Sequence, residues 1–129
     1  MDSTTATEEN ETNEPTLRVV TGDLFLGTRL AGYGRAAGYR VLPGPRLTEQ
    51  DWARLGASEA RMIIGLVSGS AWIEGFANLS DDAKARVAAY APHVRTDLLK
   101  AARTAGITAV FTQGQLETKI PSWLGDGAS

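Results

Sequence analysis

Short apolar segments alternate with longer amphipathic segments from Leu17 to near the end of the chain. The apolar segments have the length of β-strands and occur at residues 17–21, 39–42, 61–66, 87–90 and 107–112. The segments between them place apolar residues at helical spacing, as at Leu26, Leu30, Tyr33 and Ala37. This alternation predicts a parallel sheet with helices on both faces. The segment at 61–66 is apolar except at its first residue, which predicts a central strand.

Glycine and proline predict where some of these elements end. Gly38 and Gly106 are expected to terminate the helices that precede them. The segment 43–45 reads Pro-Gly-Pro and predicts a loop directly after the second strand, and Ser80 to Asp82 predicts another turn. Pro121 would disrupt a helix interior, so we expect a short or broken final helix. The surrounding pattern is nevertheless helical, because Leu116, Ile120 and Leu124 share one helical face.

Charge is distributed unevenly along the chain. The 129 residues suit one domain and carry a formal net charge of −2. Residues 1–16 contain five acids, no Lys or Arg and almost no large apolar side chain, so we expect a disordered acidic tail. The folded domain is then expected to span residues 17–129. Its ten acids and thirteen bases give a charge of about +3, which is too small to argue for nucleic-acid binding.

Other compositional features narrow the class of protein. There is no cysteine, which excludes disulfides and thiolate chemistry. No apolar segment approaches the roughly 20 residues that a membrane helix needs, so no membrane partner is expected. The amino terminus has no basic region followed by an apolar one, so a secretory signal is not expected and the cytoplasm is the default location.

Four segments together resemble the receiver domain of bacterial response regulators: residues 17–24, 61–66, 89–94 and 101–110. The last of these is an alanine-rich helix that ends in glycine and enters a short strand. The resemblance covers about residues 17–124. It implies an α/β, flavodoxin-like fold, a three-layer sandwich around a five-stranded parallel sheet in the order 2-1-3-4-5.

The resemblance also implies where the functional side chains of a receiver would lie. Receivers hold magnesium with two acids after the first strand, and here those positions read Gly22 and Asp23. The phosphoacceptor aspartate, the Ser or Thr after strand four and the Lys after strand five align with Gly65, Ala91 and Gln113. Glycine has nothing to phosphorylate, and one carboxylate is poor provision for magnesium. The resemblance therefore implies a pseudo-receiver that is not an enzyme and needs no metal or cofactor. Asp23 is either a remnant of the acid pair or a helix N-cap.

Two other groups of residues are candidates for binding. Ser68, Ser70 and His93 follow the third and fourth strands, where serines and backbone amides could hold an anion. They support an alternative function, in which a flavodoxin-like domain binds a small ligand or nucleotide at the strand ends. The glycines at 32, 34 and 38 superficially suggest a dinucleotide loop, but they lie late in a predicted helix, which favours close helix–sheet contact instead.

The favoured function is signalling through protein–protein contacts, with a protein partner or as a homodimer. In receivers the face formed by helix four, strand five and helix five carries the output. By that resemblance, the face here includes Arg95, Lys100, Arg103, Lys119 and Trp123. Trp123 is either an anchor for the partner or a residue of the core.

Overall fold

The structure, a computed structural model, describes residues 15–66 and 71–128. Five parallel strands form one sheet in the order β2-β1-β3-β4-β5, which confirms the predicted fold. The strands are β1 (Thr16–Val20), β2 (Arg40–Gly44), β3 (Arg61–Gly65), β4 (Val87–Ala91) and β5 (Ala109–Thr112). The predicted central strand, β3, lies in the middle of the sheet. β1 begins at Thr16, one residue inside the predicted tail, and residues 1–14 lie outside the described part of the chain.

Helices cover both faces of the sheet. They are α1 (Leu24–Ala36), α2 (Glu49–Ala57), α3 (Ala71–Ala77), α4 (Asp81–Lys84), α5 (Thr96–Ala105) and α6 (Gln113–Ala128). Helices α1 and α6 enclose one apolar core with the sheet, and α2, α3 and α5 enclose a second core on the opposite face. The turn predicted at Ser80 is the start of the one-turn helix α4, because the Ser80 hydroxyl caps it by accepting from the Ala83 amide at 3.2 Å. No helix in residues 15–66 and 71–128 is long and apolar enough to cross a membrane.

Local chemistry explains where the principal helices begin and end. The Asp23 carboxylate accepts from the Leu26 amide at 3.0 Å and caps α1. The Thr48 amide donates to Asp51 at 2.9 Å at the start of α2, as in a capping box. Gly106 ends α5 with φ of 111°, a left-handed conformation that glycine adopts without steric cost.

The predicted loop at Pro43 to Pro45 is wrong in its first two residues, because β2 continues through Pro43 and Gly44. β2 is an edge strand, so only one of its sides must supply hydrogen bonds to the sheet. Proline is tolerated at such an edge because its missing amide can face away from the neighbouring strand. The extension pairs Gly44 with Val20, at the carboxyl end of β1.

The predicted break in the final helix is also wrong, because α6 runs without interruption from Gln113 to Ala128 with Pro121 inside it. A proline in a helix interior costs about 3 kcal/mol. Burial of each Leu or Ile side chain stabilises the fold by about 1.5–3 kcal/mol, so three such side chains outweigh the cost of the proline. The residues that do so are Leu116, Ile120 and Leu124, all with no exposed surface.

Candidate functional site at the carboxyl edge of the sheet

The carboxyl ends of the strands bring the four predicted receiver positions to one edge of the sheet. Gly65 ends β3 and Ala91 ends β4, while Asp23 follows β1 and Gln113 follows β5. The strand register pairs Gly65 with Tyr90 and Ala91 with Thr112. Asp23 is used as the N-cap of α1, and its own amide donates to the Thr21 hydroxyl at 3.1 Å.

Tyr90 fills the space that a side chain at position 65 would need. A Cβ atom on Gly65 would lie 2.7 Å from the Tyr90 hydroxyl and 2.9 Å from its Cζ, distances that real Cβ atoms essentially never show. Tyr90 is 6% exposed, and its hydroxyl shares a short hydrogen bond with the Thr21 hydroxyl. The phenol ring can therefore occupy this position because residue 65 has no side chain.

This arrangement is electrically neutral. Burial raises the pKa of the Tyr90 hydroxyl, the hydrogen bond with Thr21 only partly offsets that rise, and the charge of Asp23 adds to it. The phenol therefore stays protonated at physiological pH. Within the described ranges, 15–66 and 71–128, no three His, Asp or Glu side chains are grouped so as to hold a metal ion.

Of the other predicted strand-end residues, the structure describes His93 alone. Ser68 and Ser70 lie outside the described residues. His93 is exposed in the loop after β4, next to Val94, which is also exposed. Gly34 has the expected structural role, since a Cβ there would lie 2.7 Å from Leu17 Cδ2, so its absence allows α1 to approach β1 closely.

The residues of the predicted interaction face have different environments. Arg95 forms an ion pair with Asp97 at 3.0 Å. Trp123 is half-buried against the core between the sheet and helices α1 and α6. The cation over its ring is Arg61, at the start of β3, whose guanidinium carbon lies 4.6 Å from the ring centroid. The remaining three residues of the predicted face are exposed and make no ion pair with another described residue: Lys100, Arg103 and Lys119.

The sequence analysis missed a buried ion pair beside this edge. Arg18 on β1 donates through Nε to Asp51 Oδ1 at 2.8 Å, and both side chains are nearly buried. Its Nη1 donates to the backbone carbonyls of Val19, Leu42 and Gly44, and its Nη2 donates to that of Arg46. The available signals were an arginine inside an otherwise apolar strand and an aspartate in the first turn of α2. Neither signal indicates that the two residues meet.

The ion pair joins the loop between β2 and α2 to the sheet. Burial alone would raise the pKa of Asp51, but hydrogen bonds from the Thr48 amide and from Arg18 outweigh it, and the pKa is lowered. The carboxylate is therefore charged in the folded protein at neutral pH. Because Arg18 also binds the carbonyls around Gly44, this pair holds one wall of the strand-end region in place.

A cleft of about 430 Å³ opens at the same edge, between α1 and the end of β2. Its lining includes Thr21, Asp23, Leu24, Arg35, Pro43 and Pro45. A larger cleft of about 590 Å³ lies between α2 and α3, and no strand-end residue lines it. The smaller cleft is therefore the one that belongs to the candidate site.

Comparisons with known proteins support the fold. A response regulator from Thermotoga maritima matches with a TM-score of 0.63 at 14% identity, covering 86% of this chain and 98% of the other. A response regulator from Burkholderia pseudomallei, solved with a phosphorylated aspartic acid, calcium and citrate, matches with a TM-score of 0.62 at 19% identity, covering 89% and 68%. No family model and no curated protein matches the chain. At these identities the likeness establishes a receiver-like fold.

Proposed function

We propose that this chain is a receiver-like signalling module that acts through protein–protein contacts and without aspartyl phosphorylation. The observation that carries the proposal is the Tyr90 ring in the space beside Gly65. A phosphoacceptor there would need a carboxylate open to solvent and to a metal ion. The Tyr90 ring leaves no room for that side chain. Position 65 therefore lacks a phosphoacceptor, and the space that one would need is occupied.

The neighbouring residues also lack the chemistry of phosphoryl transfer. Such a reaction is driven by positioning and by charges that neutralise the transferred group. Gln113 has no charge to contribute where receivers have lysine. Asp23 is the nearby acid, and its carboxylate caps α1. With no enzymatic step to perform, the domain would act through its surface, and the exposed Lys100, Arg103 and Lys119 remain candidates for contact with a partner.

Acetyl phosphate with magnesium provides the test. We expect intact-mass spectrometry to show no phosphoryl adduct on this protein. A phosphorylatable receiver domain treated in parallel is the positive control. A stable single adduct that maps to the strand ends would overturn the proposal.

The cleft at the strand ends supports a second candidate function, the binding of a small ligand. Its volume of about 430 Å³ lies within the usual range for ligand pockets. It lies beside β1 and β2, whereas the sequence predicted a pocket formed by Ser68, Ser70 and His93. A set of nucleotides and small organic anions should raise the melting temperature if this function holds. An unchanged melting temperature with every compound at millimolar concentration would favour the signalling proposal.

A further inference from the structure

Two large apolar side chains are exposed in the first turn of α1. Leu24 is 82% exposed and Phe25 is 81% exposed. In the described residues, Val94 at 70% is the only other large apolar side chain so exposed. Single exposed apolar residues are ordinary on protein surfaces, but an adjacent pair containing phenylalanine beside a cleft is typical of an interaction site.

The cleft of about 430 Å³ runs along the same helix. Gly27 and Ala31 are both buried small residues of α1 and line it together with Arg35 from the last turn. Pro43 and Pro45 form the opposite wall. An apolar projection and an apolar cleft therefore share one surface, here named the α1 surface and defined by Leu24, Phe25 and the lining of this cleft.

We propose that the α1 surface binds a second copy of this chain. In a dimer with two-fold symmetry, each copy presents the same patch, so a contact from one residue to another is repeated in reverse. α1 has 13 residues and a length of about 20 Å. Antiparallel pairing of the two α1 helices about a point near Arg29 sets the first turn of each opposite the last turn of the other. Leu24 and Phe25 of each copy then lie over the last turn of the partner's α1, at the end of the cleft that Arg35 lines.

Charge on the α1 surface favours the same arrangement. Asp23 directly precedes the apolar pair, and its capping bond engages only Oδ1. Arg35 is exposed in the last turn and makes no ion pair with any described residue. Antiparallel pairing brings Asp23 of each copy toward Arg35 of the other. Arg29, at the centre, is already paired with Glu117 at 2.8 Å, which limits repulsion between the two copies.

The size of the α1 surface indicates a transient dimer. An aromatic side chain such as Phe25 buries roughly 150–250 Å² and Leu24 buries less, so the two from each copy stay below the roughly 1,200–2,000 Å² of a stable specific interface. The inference rests on the proposed function and deepens it, because it names the partner and the surface. It also differs from the predicted face around Arg103 and Trp123.

Sedimentation equilibrium of the full chain tests the dimer. We expect concentration-dependent dimerisation of the parent. Phe25→Ser should weaken it about tenfold or more, the effect of losing one apolar anchor. Val94→Ser is the matched control, since it removes another largely exposed apolar side chain elsewhere at the same edge, and it should leave dimerisation unchanged.

A charge exchange tests the symmetry. In a homodimer, Arg35→Glu alone sets the introduced acid against Asp23 twice, and Asp23→Lys alone sets the introduced base against Arg35 twice. Each variant should therefore dimerise more weakly than the parent. An equimolar mixture of the two should form heterodimers, because one of the two facing pairs then consists of the introduced acid and the introduced base, and the other is the parental pair. Circular dichroism checks that Asp23→Lys folds without its cap. If it does not fold, Asp23→Asn, which retains a capping oxygen, should weaken the parent dimer.

Several outcomes would overturn the inference. They are a parent that is monomeric up to about 1 mM, a folded Phe25→Ser variant that dimerises as the parent does, an equal effect of Val94→Ser, and a mixture of folded charge variants that stays monomeric. The phosphorylation assay decides the proposed function independently. A monomeric protein that resists acetyl phosphate would refute the dimer and leave the proposed function standing.

Discussion

Two polar arrangements lie beside β1, and they differ in charge. At the strand ends, the hydroxyls of Thr21 and Tyr90 form a neutral pair beside Gly65. On β1 itself, Arg18 forms a charged pair with Asp51, in which both residues are buried. The chain therefore holds a charged carboxylate at one place and a neutral phenol ring beside Gly65 at the other.

The difference shows what a buried charge requires. Asp51 accepts hydrogen bonds from Arg18, Arg54 and the Thr48 amide, so its oxygens are occupied. A reactive carboxylate needs the opposite condition, with at least one oxygen open to substrate and metal. A carboxylate whose oxygens are all occupied stabilises a fold, whereas a carboxylate with an open oxygen can perform chemistry. In this chain the buried acid stabilises the loop after β2, and the strand ends of β3 and β4 are closed by a neutral ring.

The largest effect is expected from Arg18→Met, which removes the partner of a buried carboxylate and the donor to four carbonyls. Breaking a buried pair in this way costs about 3–5 kcal/mol in the free energy of unfolding, measured by urea denaturation. Arg54→Met is the matched control, because Arg54 binds the same carboxylate at 3.3 Å from a more exposed position. Its effect should be much smaller. Equal losses would show that the Arg18 pair has no special role.

Gly65→Ala should cause the next largest loss in the free energy of unfolding, because its methyl group would collide with the Tyr90 ring. Overpacking of this kind costs about 1–3 kcal/mol. Gly22→Ala at the same edge is the control, since its Cβ would meet nothing within 4 Å. Adding Tyr90→Leu to Gly65→Ala should recover part of the loss as a coupling energy in a double-mutant cycle. A Gly65→Ala variant as stable as the parent would show that the ring does not fill this space.

The pH dependence of stability should distinguish the charged pair from the neutral one. The pKa of Asp51 is lowered on folding, so its contribution to stability is present above its unfolded pKa of about 3.9 and is lost as the pH falls through the folded pKa. Urea denaturation between about pH 6 and pH 2 should therefore show a smaller acid-side loss for Asp51→Asn than for the parent. If the two proteins lost stability with falling pH to the same extent, the lowered pKa of Asp51 would be contradicted.

The smallest effect is expected from Tyr90→Phe, which removes one hydrogen bond while the ring remains. The loss should be about 0.5–1.5 kcal/mol in the free energy of unfolding. Thr21→Val removes the other partner, and the effects of the two changes should be less than additive. Full additivity would indicate that the two hydroxyls do not share a bond in solution.

Local patterns in the sequence predicted most of the fold. The five strands follow from short apolar segments, and the capped starts of α1 and α2 follow from Asp23 and Thr48. Two departures have one cause, because tertiary position overrides local preference. Pro43 is accepted in β2 since that strand lies at an edge, and Pro121 is accepted in α6 since three buried side chains hold that helix to the sheet.

The sequence by itself determined which side chains stand at the strand ends, since Gly65, Ala91 and Gln113 follow from the strand pattern. Only the tertiary structure decided what occupies the space between them. Tyr90 meets Thr21 across 69 residues of chain, and Arg18 meets Asp51 across 33. Hydrophobic periodicity reports contacts within a helix or strand, over a few residues. Contacts across such separations depend on how strands pair and helices cover them, so the filling of the site emerges only when the whole sheet is assembled.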